Sequence, residues 1–135
     1  MISAETWMLL ILGYTLTVLI EVPVMCVGLS AEYSIRDRWI SGLLLTAFTY
    51  PFVVLILPAM MSLAGIQSRL VYLLVAETWA PVGEVLLFRY LHRIPMRKAV
   101  DRNAAVIVIA NLCSFAAGEA GLSRWIHEIS SKVLR

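Results

Sequence analysis

Residues 70–91 read LVYLLVAETWAPVGEVLLFRYL. A run of this length matches the roughly 20 apolar residues that a helix needs to cross a bilayer's hydrocarbon core. It is long enough to span, yet it holds two carboxylates, Glu77 and Glu84, seven residues apart. A spacing of seven is two helical turns, so both acids fall on one face, with Ala80 and Pro81 between them. Ionisable groups at membrane depth are costly and mark functional sites by default. This stretch therefore predicts both a membrane helix and a site.

Three other stretches share its character. They run from Thr6 to Gly28, from Trp39 to Ala64 and from Ala99 to Gly121. Of the 135 residues, 61% are hydrophobic and 15% charged, with a mean hydropathy of +0.86. Soluble domains average roughly 45–50% apolar and about 25% charged. A chain this short cannot hide so much apolar surface inside itself, so lipid is the expected solvent. A formal net charge of +2 gives no basis for nucleic-acid binding.

The connections are short: Ser30–Arg38, Gly65–Ser68 and His92–Lys98. Short links make neighbouring spans antiparallel and adjacent. The predicted fold is all-α, an integral membrane four-helix bundle over residues 1–121 with an amphipathic tail over 122–135. In that tail Leu122, Trp125, Ile126, Ile129, Val133 and Leu134 recur at helical spacing, with Arg124, Glu128, Lys132 and Arg135 largely opposite. Such a pattern suits a short helix lying in the membrane interface. The N-terminus lacks the basic stretch of a cleaved signal peptide.

Orientation follows the basic residues. One side holds Arg36, Arg38, Arg89, Arg93, Arg97, Lys98 and Arg102; the other holds Arg69, Arg124, Lys132 and Arg135. The excess places both termini outside the cytoplasm. The cluster Arg93, Arg97, Lys98 and Arg102 also suits anionic lipid headgroups. Trp7, Trp39 and Trp125 fall near span ends, as interfacial aromatics do.

Each span carries a polar stripe at helical spacing. The first has Tyr14, Thr17 and Glu21; the second has Gly42, Thr46, Thr49 and Tyr50. The fourth has Asn103, Asn111, Ser114, Gly118 and Gly121. Turned inward, the stripes form a ladder at graded depths: Glu84 with Glu21, then Asn111 with Tyr50, then Glu77, then Glu119. Trp79, beside Glu77 in sequence, is expected to line or shield the acids. An ionised carboxylate in such a site is penalised by several kcal/mol. It must pair, hold a cation or stay protonated. Arg89 is placed to reach Glu84 from the helix end, while Glu77 is expected to be protonated, hydrogen-bonded to Asn111 or Tyr50, or bound to a cation or a partner's base.

Chemistry of other kinds finds little footing. His92 and His127 do not face one another as haem ligands would, and no paired-histidine zinc motif is present. No base accompanies Ser114 or Cys113. Cys26 and Cys113 match no metal or redox spacing and read as reduced packing residues. Enzyme activity and a resident cofactor are not expected. Glu21, Glu77, Glu84 and Asn111 do supply the oxygen donors that a divalent cation would need. Prolines Pro23, Pro51, Pro58 and Pro81 interrupt three spans and release backbone carbonyls.

Two functional expectations follow. In one, the acids move protons or a cation across the membrane as a homo-oligomer. In the other, the chain is an accessory subunit or assembly factor of a larger membrane complex, docking by its polar face. A plainer role remains beside both, in which neutral acids fix helix register.

Overall fold

The computed structural model describes residues 4–94 and 101–133, with side chains described at residue 7 and over residues 10–94 and 101–121. Among these the secondary structure is entirely helical. The elements are α1 (Ala4–Gly28), α2 (Ile35–Pro51), a π-helical segment (Phe52–Ile56), α3 (Leu57–Leu63), α4 (Arg69–Leu91) and α5 (Arg102–Val133). Four stretches are long and apolar enough to cross a membrane: Leu10–Gly28, Ile35–Leu63, Arg69–Leu91 and Arg102–Gly121. The second starts about a turn earlier than the sequence suggests. Ser34 explains this, because its hydroxyl caps α2 by accepting the Asp37 N–H at 3.1 Å.

The spans pack in a closed cycle. α1 lies against α2 and α5, and α4 lies against α2 and α5. The pairs α1/α4 and α2/α5 are thus the diagonals. Contacts between the ends confirm antiparallel neighbours: Ser30 meets Asn103, Ser41 meets His92, and Arg69 meets Glu119. Gly42 lets α1 and α2 approach closely. A Cβ there would stand 3.0 Å from Val22 Cγ2 and 3.4 Å from Val22 Cα. At Gly13 the Tyr50 hydroxyl fills the space that a Cβ would take.

The second span is wound loosely in its middle, and two prolines account for it. Pro51 brings no N–H, and in the π segment the Leu57 N–H reaches back five residues to the Phe52 carbonyl. The Val53 carbonyl would next accept from residue 58, which is Pro58 and has no proton to give. The Tyr72 hydroxyl of α4 donates to this carbonyl instead, at 3.2 Å. The carbonyl released by proline is therefore occupied by a side chain. Tyr72→Phe is expected to cost about 0.5–1.5 kcal/mol, read as a lowered melting temperature in detergent with helix content unchanged.

α5 continues unbroken past residue 121 to Val133. At ~1.5 Å per residue its 32 residues extend about 48 Å, well beyond a hydrocarbon core of about 30 Å. The tail is thus helical and continuous with the fourth span. The side chains that would define its amphipathic face, Trp125 among them, lie outside the described ones, as do residues Arg97 and Lys98.

Candidate functional site

The spacing of polar and apolar residues builds this site in layers. Glu21, Thr49, Glu84 and Asn111 come from α1, α2, α4 and α5, and all are buried. Four residues along each helix, toward the loops at residues 29–34 and 92–101, stand Met25, Leu45, Phe88 and Ile107. These are almost wholly excluded from solvent, none more than 1% exposed. One further turn brings Leu29, Ser41, His92 and Asn103. Four residues in the opposite direction stand Thr17, Val53, Ala80 and Phe115, which line a cavity. An i, i+4 repeat superimposes side chains on one helix face, so the same register on four antiparallel helices stacks them as floors.

A chain of polar contacts joins the acids. Thr46 Oγ1 donates to Glu21 Oε2 at 2.9 Å, and Ser114 Oγ donates to Glu21 Oε1 at 2.5 Å. Ser114 Oγ also lies 2.9 Å from the Asn111 carbonyl. The Asn111 amide donates to Glu84 Oε2 at 2.7 Å, and Thr49 Oγ1 donates to Glu84 Oε1 at 2.8 Å. The chain leaves α2 at Thr46, passes through α1, α5 and α4, and returns to α2 at Thr49. The two acids stand on diagonally opposed helices, and the hydroxyls and amide that bridge them come from the other diagonal.

Proton counting shows what this array can do. Each threonine hydroxyl carries one hydrogen but faces two acceptors. Thr46 Oγ1 lies 3.0 Å from the Gly42 carbonyl as well as near Glu21, and Thr49 Oγ1 lies 3.1 Å from the Leu45 carbonyl as well as near Glu84. When a carboxylate is ionised, the hydroxyl donates to it. When the carboxyl is protonated, it donates to the threonine oxygen, whose own hydrogen turns to the backbone carbonyl. Both forms leave every polar atom bonded and need no heavy atom to move. No cationic side chain bonds either acid among the described residues.

A cavity of about 130 Å³ adjoins the array. Its wall includes Glu21, Glu84, Asn111 and Ser114, with Glu77, Tyr50 and Thr17 farther from the 92–101 loop. At ~30 Å³ per water, it has room for about four waters.

The residues singled out from sequence fall into three groups. Glu21, Glu84, Asn111, Thr46 and Ser114 form the array itself. Glu77, Tyr50 and Thr17 line the cavity without a hydrogen bond to the array, and Tyr14 backs Tyr50 edge-on with ring centroids 5.8 Å apart. The others stand elsewhere. Glu77 meets neither Asn111 nor Tyr50 in a hydrogen bond, because Asn111 is committed to Glu84. Trp79 is 40% exposed and stacks on Phe52 with centroids 4.7 Å apart, on the outer side of the bundle. Being two residues from Glu77 turns it through about 200°, which is why nearness in sequence misleads there. Glu119 is paired with Arg69 at 2.9 Å, an exposed ion pair at the far end.

The basic residues are engaged in closing helix ends. Arg102 Nε donates to the Gly28 carbonyl at 3.0 Å, and Arg38 donates to the Cys26 carbonyl at 2.8 Å. Both favour the negative end of the α1 dipole. Arg89 does not reach Glu84; it pairs with Asp101 at 3.6 Å. Arg93 is exposed and adopts φ 52°, ending α4 in a left-handed turn. Cys26 is buried, Cys113 is exposed, and both thiols are free. Among the described residues no three His, Cys, Asp or Glu side chains converge as a metal would require.

Two features escaped the sequence reading. Thr49 carried a visible place in the polar stripe but no sign that it bonds Glu84. His92 lay at a span end and drew attention only as a failed haem ligand. Its Nε2 stands 2.9 Å from Ser41 Oγ, and its ring packs against Phe88 and Tyr33 with centroids 4.4 and 4.5 Å away. Burial holds the imidazolium below its ordinary value of 6.5, against the attraction of Asp37. A folded value below the unfolded one means that acid favours the unfolded chain. Stability contributed by neutral His92 is complete above about pH 6.5 and is lost as pH falls from there toward the folded value. Melting temperature is expected to decline over that window, and His92→Gln to flatten the decline.

Comparisons with protein-family models, curated proteins and solved structures give no match to this chain.

Proposed function

We propose that this chain is a multi-pass membrane protein that conducts or exchanges protons through the Glu21/Glu84 array, working as a homo-oligomer. The supporting observation is the threonine hydroxyls, each with a carboxyl oxygen on one side and a backbone carbonyl on the other. A carrier of protons has to be stable with the proton on and with it off. Here the switch is a rotation about one C–O bond. Removing a proton from a group that lacked such partners would strand charge in a low-dielectric site, at a cost of several kcal/mol.

Protons fit better than a metal cation. All four carboxyl oxygens already receive a donor hydrogen, whereas a hard cation needs six or more oxygens turned toward it. Glu77 would be the entry group, since it lines the cavity about 10 Å along α4 from Glu84. With the basic loops cytoplasmic, the cavity lies toward the outer side and both termini outside. The tail beyond Gly121 would carry α5 past the outer interface, and Arg93, Arg97, Lys98 and Arg102 would meet headgroups on the inner one.

The accessory-subunit reading has less support, because the polar faces are turned inward and bonded within the chain. Purified protein in liposomes with an entrapped pH dye decides between them. Flux above that of empty liposomes under an imposed pH gradient is the expected result. Liposomes as tight as empty ones, with correctly folded protein, would defeat the proposal.

A further inference from the structure

The floor beneath the acids has a consequence for access. Met25, Leu45, Phe88 and Ile107 lie one turn from Glu21, Thr49, Glu84 and Asn111, each on the same helix as its polar neighbour. All four are sealed from solvent, and with Leu29 and Ala110 they form one contiguous apolar cluster. A dry apolar constriction of this kind blocks a pore by excluding water. Beyond it polar side chains resume at once: His92 bonded to Ser41, and Asn103 accepting the Ser30 N–H at 2.8 Å. The water-sized space, in contrast, lies on the opposite side of the acids.

We propose that the Met25/Leu45/Phe88/Ile107 layer is a closed gate, so that in this conformation the acids exchange with the cavity side alone. The inference rests on the proton-transfer reading and adds a direction to it. Phe88 is the largest member, and its ring spans from the layer to His92 and Tyr33 on the loop side. Removing that ring is expected to breach the apolar layer between the acid floor and the His92–Ser41 floor. The layer is thus the barrier that any transport cycle must open, and the polar floor beyond it is the exit.

Proton permeability of liposomes holding Phe88→Ala tests the gate. The expected result is at least a tenfold faster collapse of a pH gradient than with the unaltered protein. The leak should vanish when Glu84→Gln is added, because protons still have to pass the acids. Ile107→Ala opens the same layer more gently and carries the test if Phe88→Ala fails to elute as a folded species. Folded variants with unaltered permeability would overturn the gate, as would a leak indifferent to Glu84. The two proposals separate cleanly. A tight unaltered protein with a leaking, Glu84-dependent Phe88→Ala supports the gate and defeats transport. An active unaltered protein with an unchanged Phe88→Ala supports transport and defeats the gate.

Discussion

Glu84→Gln is expected to lower proton flux at least tenfold while leaving the fold in place. Glutamine has the shape of the protonated acid and repeats its bonding. Its NH₂ can donate to Thr49 Oγ1, and its carbonyl can accept the Asn111 amide, which now sits 2.7 Å from Glu84 Oε2. What it lacks is a proton to release. Melting temperature should therefore shift little, since the exchanged groups remain paired, and single polar contacts within membranes average only about 0.6 kcal/mol. Glu84→Leu separates this from a structural role. It deprives Thr49 and Asn111 of a shared partner, though each retains a backbone carbonyl at 3.1 and 3.0 Å. Its penalty is thus expected near about 1 kcal/mol rather than at the 3 kcal/mol limit for a stranded group. Flux retained in folded Glu84→Gln would remove Glu84 from the pathway.

Asn111→Leu should have the larger effect on stability. Leucine has a similar bulk but removes the only donor that reaches Glu84 Oε2 among the described residues. That oxygen then keeps no donor within the protein, whereas the threonines keep their backbone carbonyls. A loss of about 1–3 kcal/mol is expected, visible as a marked drop in melting temperature and in the yield of monodisperse protein. Asn111→Gln, which can still donate, should recover part of it. Equal stability of Asn111→Leu and the unaltered chain would mean that the array does not hold α4 to α5.

The four spans and the inward turn of most of their polar residues were legible because both rest on periodicity, though Gly118 and Gly121 of the fourth stripe face open space. Runs of about 20 apolar residues and repeats of three and four locate membrane helices and their wet faces. Partner choice was not legible. Whether Asn111 would meet Glu84 or Glu77 depends on helix rotation and axial offset of a turn or less, and no local signal sets either. Arg89 illustrates the same limit, since its reach to Glu84 along α4 was plausible until Asp101 arrived from the loop before α5. Trp79 was misplaced by its neighbourhood in sequence. The π segment was invisible as such, although Pro51 and Pro58 seven residues apart signalled a disturbed backbone between them.

The ring of bonds that starts and finishes on α2 also bears on biogenesis. Before α5 enters the bilayer, Glu21 lacks Ser114 and Glu84 lacks Asn111, so in three inserted helices each acid keeps one of its two donors. The nascent chain has every incentive to recruit the last helix and little reason to pause. Assembly should accordingly be all-or-none, and a product ending before residue 102 should be a substrate for membrane quality control rather than a stable smaller bundle.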